Sequence, residues 1–129
     1  MAQTQCMTTE GMTELAALIA GGSATEIESM VCLKTSCTAE AAATYAGVTK
    51  ATESGMTIAN CDSVTSAALV ITAYHTFTAG EAATIKGAIA CNNDDDAAMG
   101  IVCFAADVVM ETSDTLKVTM TWTMTDTTA

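Results

Sequence analysis

The stretch of sequence that decides the fold is DTLKVTMTWTMTDTT, residues 114–128. Its even positions carry the apolar side chains Leu116, Val118, Met120, Trp122 and Met124. Its odd positions carry threonines, interrupted by Lys117. Because successive side chains of a strand point to opposite faces, this alternation predicts a β-strand with one face in a core and a threonine face directed away from it.

Other segments with the same period of two lie upstream, separated by turn-forming residues. They are residues 26–36, 54–63, 66–80, 83–91 and 98–108. Before them, residues 8–20 show helical spacing of the apolar residues Met12, Leu15, Ala16 and Ile19. The order predicts a mainly β protein: an antiparallel β-sandwich, jelly-roll-like, of about six to eight strands with a short N-terminal helix.

The length of 129 residues predicts a single domain spanning 1–129. Residues 1–22 form its N-terminal arm and short helix, and residues 23–129 form the sandwich. Half of the residues are hydrophobic but very few are aromatic, which predicts a core of Ala, Val, Ile, Leu and Met. Met12, Met56, Met120 and Met124 are predicted to fill gaps in that core.

The charge is strongly one-sided. Four lysines, no arginine and fifteen acidic residues give a net charge of −11. Because nucleic-acid binding requires clustered cations, we expect no nucleic-acid partner. No apolar run is long enough to span a bilayer, so we also expect no membrane insertion. The charge predicts solubility and mutual repulsion between copies.

The chain offers little that predicts catalysis or metal binding. His75 is the single histidine, and no nucleophile lies at a recognised spacing from it, so we predict a protein that is not an enzyme and has no cofactor. The six cysteines lie in apolar patterns without a CxxC pair, which favours buried thiols over a zinc site. Cys32 and Cys37, five residues apart, are the pair predicted for a disulfide across a strand end.

An acidic run, Asp94, Asp95 and Asp96, is typical of a solvated hairpin tip. Carboxylates in such a run could instead bind Ca²⁺ or contact a cationic surface of a neighbouring subunit.

Three interpretations of the threonine face compete. A flat threonine array could order ice, but only one strand in the sequence carries such a run, and sheets twist. An ordinary solvent-exposed strand is the second interpretation. The third, which we favour, is a contact between subunits through Thr119, Thr121 and Thr123, together with the helix residues Leu15, Leu18 and Ile19.

The segments 15–25 (LAALIAGGSAT), 84–93 (TIKGAIACNN) and 99–124 (MGIVCFAADVVMETSDTLKVTMTWTM) resemble small β-sandwich structural proteins of tailed phages and other viruses. Ser113 and the run 92–96 depart from the family pattern, in which glycines occupy these turns. The resemblance implies a structural role in a virus particle and no defined activity.

The predicted function is therefore a non-enzymatic, self-associating structural protein of a virion, as a tail, fibre or capsid-exterior subunit. Its expected partners are copies of itself and other particle proteins, and it is expected to be made in the host cytoplasm without a signal peptide. Two alternatives stay open: a subunit of an extracellular cellular filament or sheath, and a monomeric β-sandwich that binds Ca²⁺ or glycans.

Overall fold

The computed structural model of the chain describes residues 3–20, 26–92 and 97–124. Its elements are β1 (Thr4–Cys6), α1 (Thr9–Ile19), β2 (Ile27–Leu33), β3 (Ala59–Asn60), β4 (Ser63–Ala67), β5 (Val70–Thr78), β6 (Ala83–Asn92), β7 (Ala98–Met110) and β8 (Thr115–Thr123). The strands form a larger sheet in the order β1-β7-β6-β2-β3 and a smaller sheet in the order β4-β5-β8, and every pairing is antiparallel. The prediction of a mainly β, two-sheet antiparallel fold with one short helix is confirmed.

The main core lies between the two sheets. Phe77 and Met120 enter it from the smaller sheet, and Met30 and Ile85 enter it from the larger sheet. Small alanines fill much of the remaining space, so this core is as poor in aromatic residues as the composition predicts. Met56 is also fully buried there.

Two of the four methionines predicted to face the core do not. The side chain of Met12 is 56% exposed and that of Met124 is 41% exposed. Met12 lies on the outer side of α1, and Met124 follows the last residue of β8. Periodicity identified an apolar face in each case, but the tertiary arrangement leaves both positions uncovered.

The far face of the larger sheet is also buried. Val31, Leu33, Ile89 and Ile101 form a second cluster there, against which residues of the connection between β2 and β3 pack. This connection therefore acts as a lid over the sheet, through side chains such as Tyr45, Val48 and Ile58, although it carries little regular structure.

Helix α1 is held against β7 by its first turn. The Thr8 hydroxyl accepts a hydrogen bond from the Gly11 N–H (2.9 Å) and donates one to the Ala98 carbonyl. This makes Thr8 the N-cap of the helix, because its side chain satisfies an otherwise unpaired backbone donor. A Cβ on Gly11 would lie 2.7 Å from the Met99 carbonyl oxygen, so glycine allows the helix backbone to touch the strand.

The predicted disulfide between Cys32 and Cys37 is wrong. Cys37 is bonded to Cys103 on β7, with their Cα atoms 5.6 Å apart. Cys32 points into the core between the sheets, whereas Cys37 packs on the other face of the larger sheet. Since the sheet itself separates the two sulfurs, proximity in sequence does not bring them together.

The predicted strand 66–80 is in fact the end of a hairpin and its second strand. Ala67 pairs with Val70 across a two-residue turn, in which Ala68 has a φ of 53°. Two-residue hairpin turns need positive φ, which Gly, Asn and Asp supply most readily. Here Ala68 and Leu69 form the turn, so the usual sequence signal is missing.

Candidate functional site

The outward side of the smaller sheet forms the candidate site, which we call the threonine face. On β5 and β8 the alternate residues Ala73, Phe77, Val118 and Met120 are buried, so their neighbours in sequence point away from the core. The face consists of Ser63, Thr65 and Ala67 of β4, Val70, Thr72, Tyr74, Thr76 and Thr78 of β5, and Thr115, Lys117, Thr119, Thr121 and Thr123 of β8. Thr119, Thr121 and Thr123, predicted for assembly from the sequence, are all exposed members of it.

Threonines line up across the strands as well as along them. Thr65 pairs with Thr72, and Thr72 pairs with Thr121, which makes one continuous row over all three strands. Thr115 also lies opposite Thr78. The sequence shows a run of threonines on one strand, and the structure adds single threonines of β4 and β5 to the same face, because register aligns hydroxyl-bearing residues that lie far apart in the chain.

The threonine face carries one charge and no acidic residue. Lys117 is that charge, and its Nζ lies 4.3 Å from the centroid of the Tyr74 ring, an arrangement that favours a cation–π contact. The protein has fifteen acids against four lysines, and none of the acids among the described residues is a member of this face. Asp62 borders it, because its carboxylate accepts a hydrogen bond from the Thr76 N–H and interacts with the charge of Lys117. The face is thus a nearly neutral surface on a strongly anionic molecule.

The remaining lysines are held by contacts within the chain. Lys34 pairs with Glu53 at 3.1 Å, Lys86 pairs with Asp107 at 2.8 Å, and Lys50 donates to the Tyr45 carbonyl and lies over the Tyr45 ring. A second copy of the protein would therefore find few cations to pair with its acids. Contacts between copies are least opposed by charge at the threonine face.

The edges of the two sheets differ in how they are protected. β1, β3 and β4 have three, two and five residues, whereas β8 has nine. The β5–β8 register runs through nine consecutive pairs without a bulge. Short strands, charges, prolines and bulges are the usual means of blunting an edge, and β8 has only Lys117. In the part of the chain that the structure describes, its backbone bonds run to β5 alone.

An apolar groove of about 340 Å³ runs beside β8, between that strand and the edge of the larger sheet. Its walls include Leu15, Met99, Trp122 and Met124. The Trp122 indole Nε1–H donates to the Met99 carbonyl at 3.2 Å, and the ring lies against Gly100, whose Cβ, if present, would be 3.2 Å from it. Trp122 therefore bridges the two sheets while part of its ring still faces the groove.

The helix residues predicted for assembly differ in their exposure to solvent. Ile19 is 77% exposed, and Leu15 is half-buried at the groove. Leu18 lies in α1, but its side chain is outside the described part of the structure. Met12, Ala16 and Ile19 together leave an apolar strip of α1 facing outward.

His75 pairs with an acid in the structure. Its Nδ1 lies 2.9 Å from Asp62 Oδ1, and the Thr76 N–H donates to the other carboxylate oxygen at 3.1 Å. These hydrogen bonds, that of His75 first, lower the pKa of Asp62. The His75 ring packs edge-on against Phe77 with centroids 4.5 Å apart. The pair therefore connects the residue before β4 to β5.

Two of the four thiols outside the disulfide, Cys32 and Cys61, are poor candidates for nucleophilic chemistry. Burial raises the pKa of Cys32 to about 12. Burial, with a further contribution from the charge of Asp62, raises the pKa of Cys61 to about 11. Because the thiolate is the reactive and metal-binding form, both groups remain inert at neutral pH.

The predicted calcium site cannot be placed, since Asp94, Asp95 and Asp96 lie outside the described residues. Within residues 3–20, 26–92 and 97–124, no three His, Cys, Asp or Glu side chains are grouped as metal ligands would be. The one helix described there, α1, is too short to cross a membrane.

No protein-family model, curated protein or solved structure matches this chain. The resemblance to phage and virus structural proteins therefore stays a prediction.

Proposed function

We propose that the protein is a non-enzymatic structural subunit that associates with copies of itself through the smaller sheet, at the side formed by β8. The observation that carries this proposal is the separation of charge: a chain of net charge −11 has one extended surface whose own side chains include no acid, with Asp62 at its border. A virus particle is the setting that the sequence resemblance favours, on a tail, fibre or capsid exterior. A cellular filament or sheath would use the same surface.

Electrostatics decides which surfaces of two copies can meet. Two copies repel at long range, and contact between acid-bearing surfaces would place like charges together. At the threonine face the nearest charge is Lys117, whose ammonium is already held over Tyr74. Burying β-branched side chains and their methyl groups there gives a favourable contribution without desolvating a carboxylate.

Salt should strengthen this association. The Debye length falls from about 30 Å at 0.01 M salt to about 3 Å at 1 M, so repulsion between distant carboxylates is screened while short-range packing is not. Sedimentation velocity over a range of protein concentrations should show a larger average mass at 1 M than at 0.01 M NaCl. A protein that stays monomeric at every salt and protein concentration would overturn the proposal.

A pair of variants locates the contact. Thr121→Lys places a charge on β8 in the middle of the proposed contact, whereas Thr84→Lys places the same charge on an exposed position of β6 in the other sheet. Both substitutions lower the net negative charge equally. We expect Thr121→Lys to weaken association by at least about two- to tenfold and Thr84→Lys to leave it unchanged or slightly stronger. Equal effects of the two would show that β8 is not in the contact.

A further inference from the structure

The geometry points to a specific mode of self-association: β8 of one copy pairs antiparallel with β8 of a second copy, about a twofold axis at Thr119, and joins the two smaller sheets into one. This inference rests on the proposed self-association and states which contact produces it. A twofold axis makes the contact self-complementary, so it closes as a dimer.

Among the described residues, the outer edge of β8 has no neighbouring strand, and this edge supplies the hydrogen bonds. An edge strand presents a row of backbone N–H and C=O groups that template another strand. β8 is the longest edge strand in the fold, with nine residues, an unbroken register and no proline. Centring the pairing on Thr119, its middle residue, pairs the whole strand with its copy.

This register also matches the side chains on the core side. Leu116 comes opposite Trp122 of the second copy, and Val118 comes opposite Met120. Val118 and Met120 are already buried, but Leu116 and Trp122 are only half-buried although they point toward the core. Both remain half-buried because β8 is an edge and Trp122 borders the apolar groove. The second copy covers these two residues with each other.

On the threonine face the register keeps the charges apart. Thr115 comes opposite Thr123 of the second copy, and Lys117 comes opposite Thr121. The two Lys117 side chains are offset by four residues along the strands, roughly 13 Å. That distance exceeds the Debye length of about 10 Å at 0.1 M salt, so the lysines oppose the pairing little.

The pairing of Lys117 with Thr121 allows a test by the sign of a charge. Thr121→Glu would place a carboxylate opposite Lys117 of the second copy at two symmetric positions, whereas Thr121→Lys would place two ammonium groups there. Opposite charges directly across strands attract and like charges repel. We expect the Glu variant to dimerise about two- to tenfold more tightly than the wild type at low salt. The Lys variant should dimerise more weakly than the wild type, by at least the same factor.

Net charge alone predicts the reverse order. The Glu variant is more anionic and the Lys variant less so, and general repulsion would then weaken the first and strengthen the second. Sedimentation equilibrium at low salt measures both dissociation constants. The register is supported if the Glu variant dimerises more tightly than the wild type and the Lys variant more weakly. The reverse order overturns it.

Thr72 provides the matched control. It lies beside Thr121 in the same row, but on the central strand β5. Edge pairing leaves Thr72 outside the contact, so Thr72→Glu and Thr72→Lys should follow net charge only. If both Thr72 variants weaken association as strongly as Thr121→Lys does, the copies stack face to face and edge pairing is wrong, although self-association itself stands.

A cross-link reports the axis directly. In the proposed register the two Thr119 residues are directly opposite, with Cβ atoms about 4.5–5.5 Å apart, within reach of a disulfide after slight adjustment. Thr119→Cys should form a covalent dimer under mild oxidation, and Thr72→Cys should not. If the wild-type protein is monomeric under all conditions, both the register and the proposed function are overturned. If it forms a stable dimer but Thr119→Cys gives no cross-link, the register alone is overturned.

Discussion

Removal of the Cys37–Cys103 bond is the most quantitative prediction from this fold. The bond joins residues that are 66 positions apart, so it closes a loop that runs from the lid connection through β6 and into β7. In the chain-entropy treatment, a loop of this length restricts the unfolded chain by about 4 kcal/mol at 25 °C. A domain of this size loses about 3–4 °C in Tm for each kcal/mol, which gives a decrease of about 15 °C.

The assay compares the oxidised wild type with the double variant Cys37→Ser, Cys103→Ala. Calorimetry with and without reductant should show the decrease in the wild type on reduction and no further change in the double variant. Cys6→Ser is the matched control, because Cys6 is a half-buried thiol outside the disulfide. Its Tm should fall by the same amount on reduction as that of the wild type.

The magnitude also separates this pairing from the one that the sequence suggests. A bond between Cys32 and Cys37 would close a loop of about five residues and contribute only about 2 kcal/mol. Thiol titration of the denatured oxidised protein should find four thiols. A decrease in Tm below about 5 °C, or peptide mapping that joins Cys32 to Cys37, would refute the reasoning.

Three further predictions concern contacts that stabilise the fold. The pKa of Asp62 is lowered chiefly by its hydrogen bond with His75. The carboxylate therefore stabilises the fold at pH values above its ordinary pKa, and this contribution is lost as the pH falls through the lowered value. Urea titrations from about pH 5 to about pH 2 should show that the wild type loses its stability advantage over Asp62→Asn toward the acid end. Gly55→Ala should lower the free energy of unfolding by about 2 kcal/mol or more, measured by urea denaturation, because Gly55 has a φ of +85° and its Cβ would collide with the Thr78 carbonyl oxygen. Glu10→Gln should increase amide hydrogen exchange in α1 while β6 stays protected. The Glu10 carboxylate accepts hydrogen bonds from the Ala98 N–H at 2.7 Å and the Tyr45 N–H at 2.9 Å, which hold the first turn of the helix in place, and each such bond to a charged group contributes about 1.5–3 kcal/mol.

The proposed contact links the charge of the protein to its architecture. Three of the four sheet edges are short, and the fourth, β8, is long and nearly uncharged. In the described ranges no strand pairs with the outer edge of β8, and an unprotected edge invites association. In the proposed assembly, the net charge of −11 would favour contact through the surface whose own side chains include no acid, because contacts between acid-bearing surfaces place like charges together.

The sequence alone determined the elements whose signal is local. The alternation in 114–128 is carried by neighbouring residues, so β8 and its two faces follow from it directly. The same holds for α1 and for the mainly β class. The composition also predicted the aromatic-poor core correctly, because few large aromatic side chains were present to fill it.

Only the tertiary structure decided which distant residues meet. It placed Thr65 and Thr72 beside Thr121, bonded Cys37 to Cys103 instead of Cys32, and left the apolar strip of α1 facing outward. Each outcome depends on sheet order and register, which are set by packing between segments far apart in the chain. Periodicity states that a strand has two faces, but the neighbours on each face, and the edge left open, exist only once the sheets have formed.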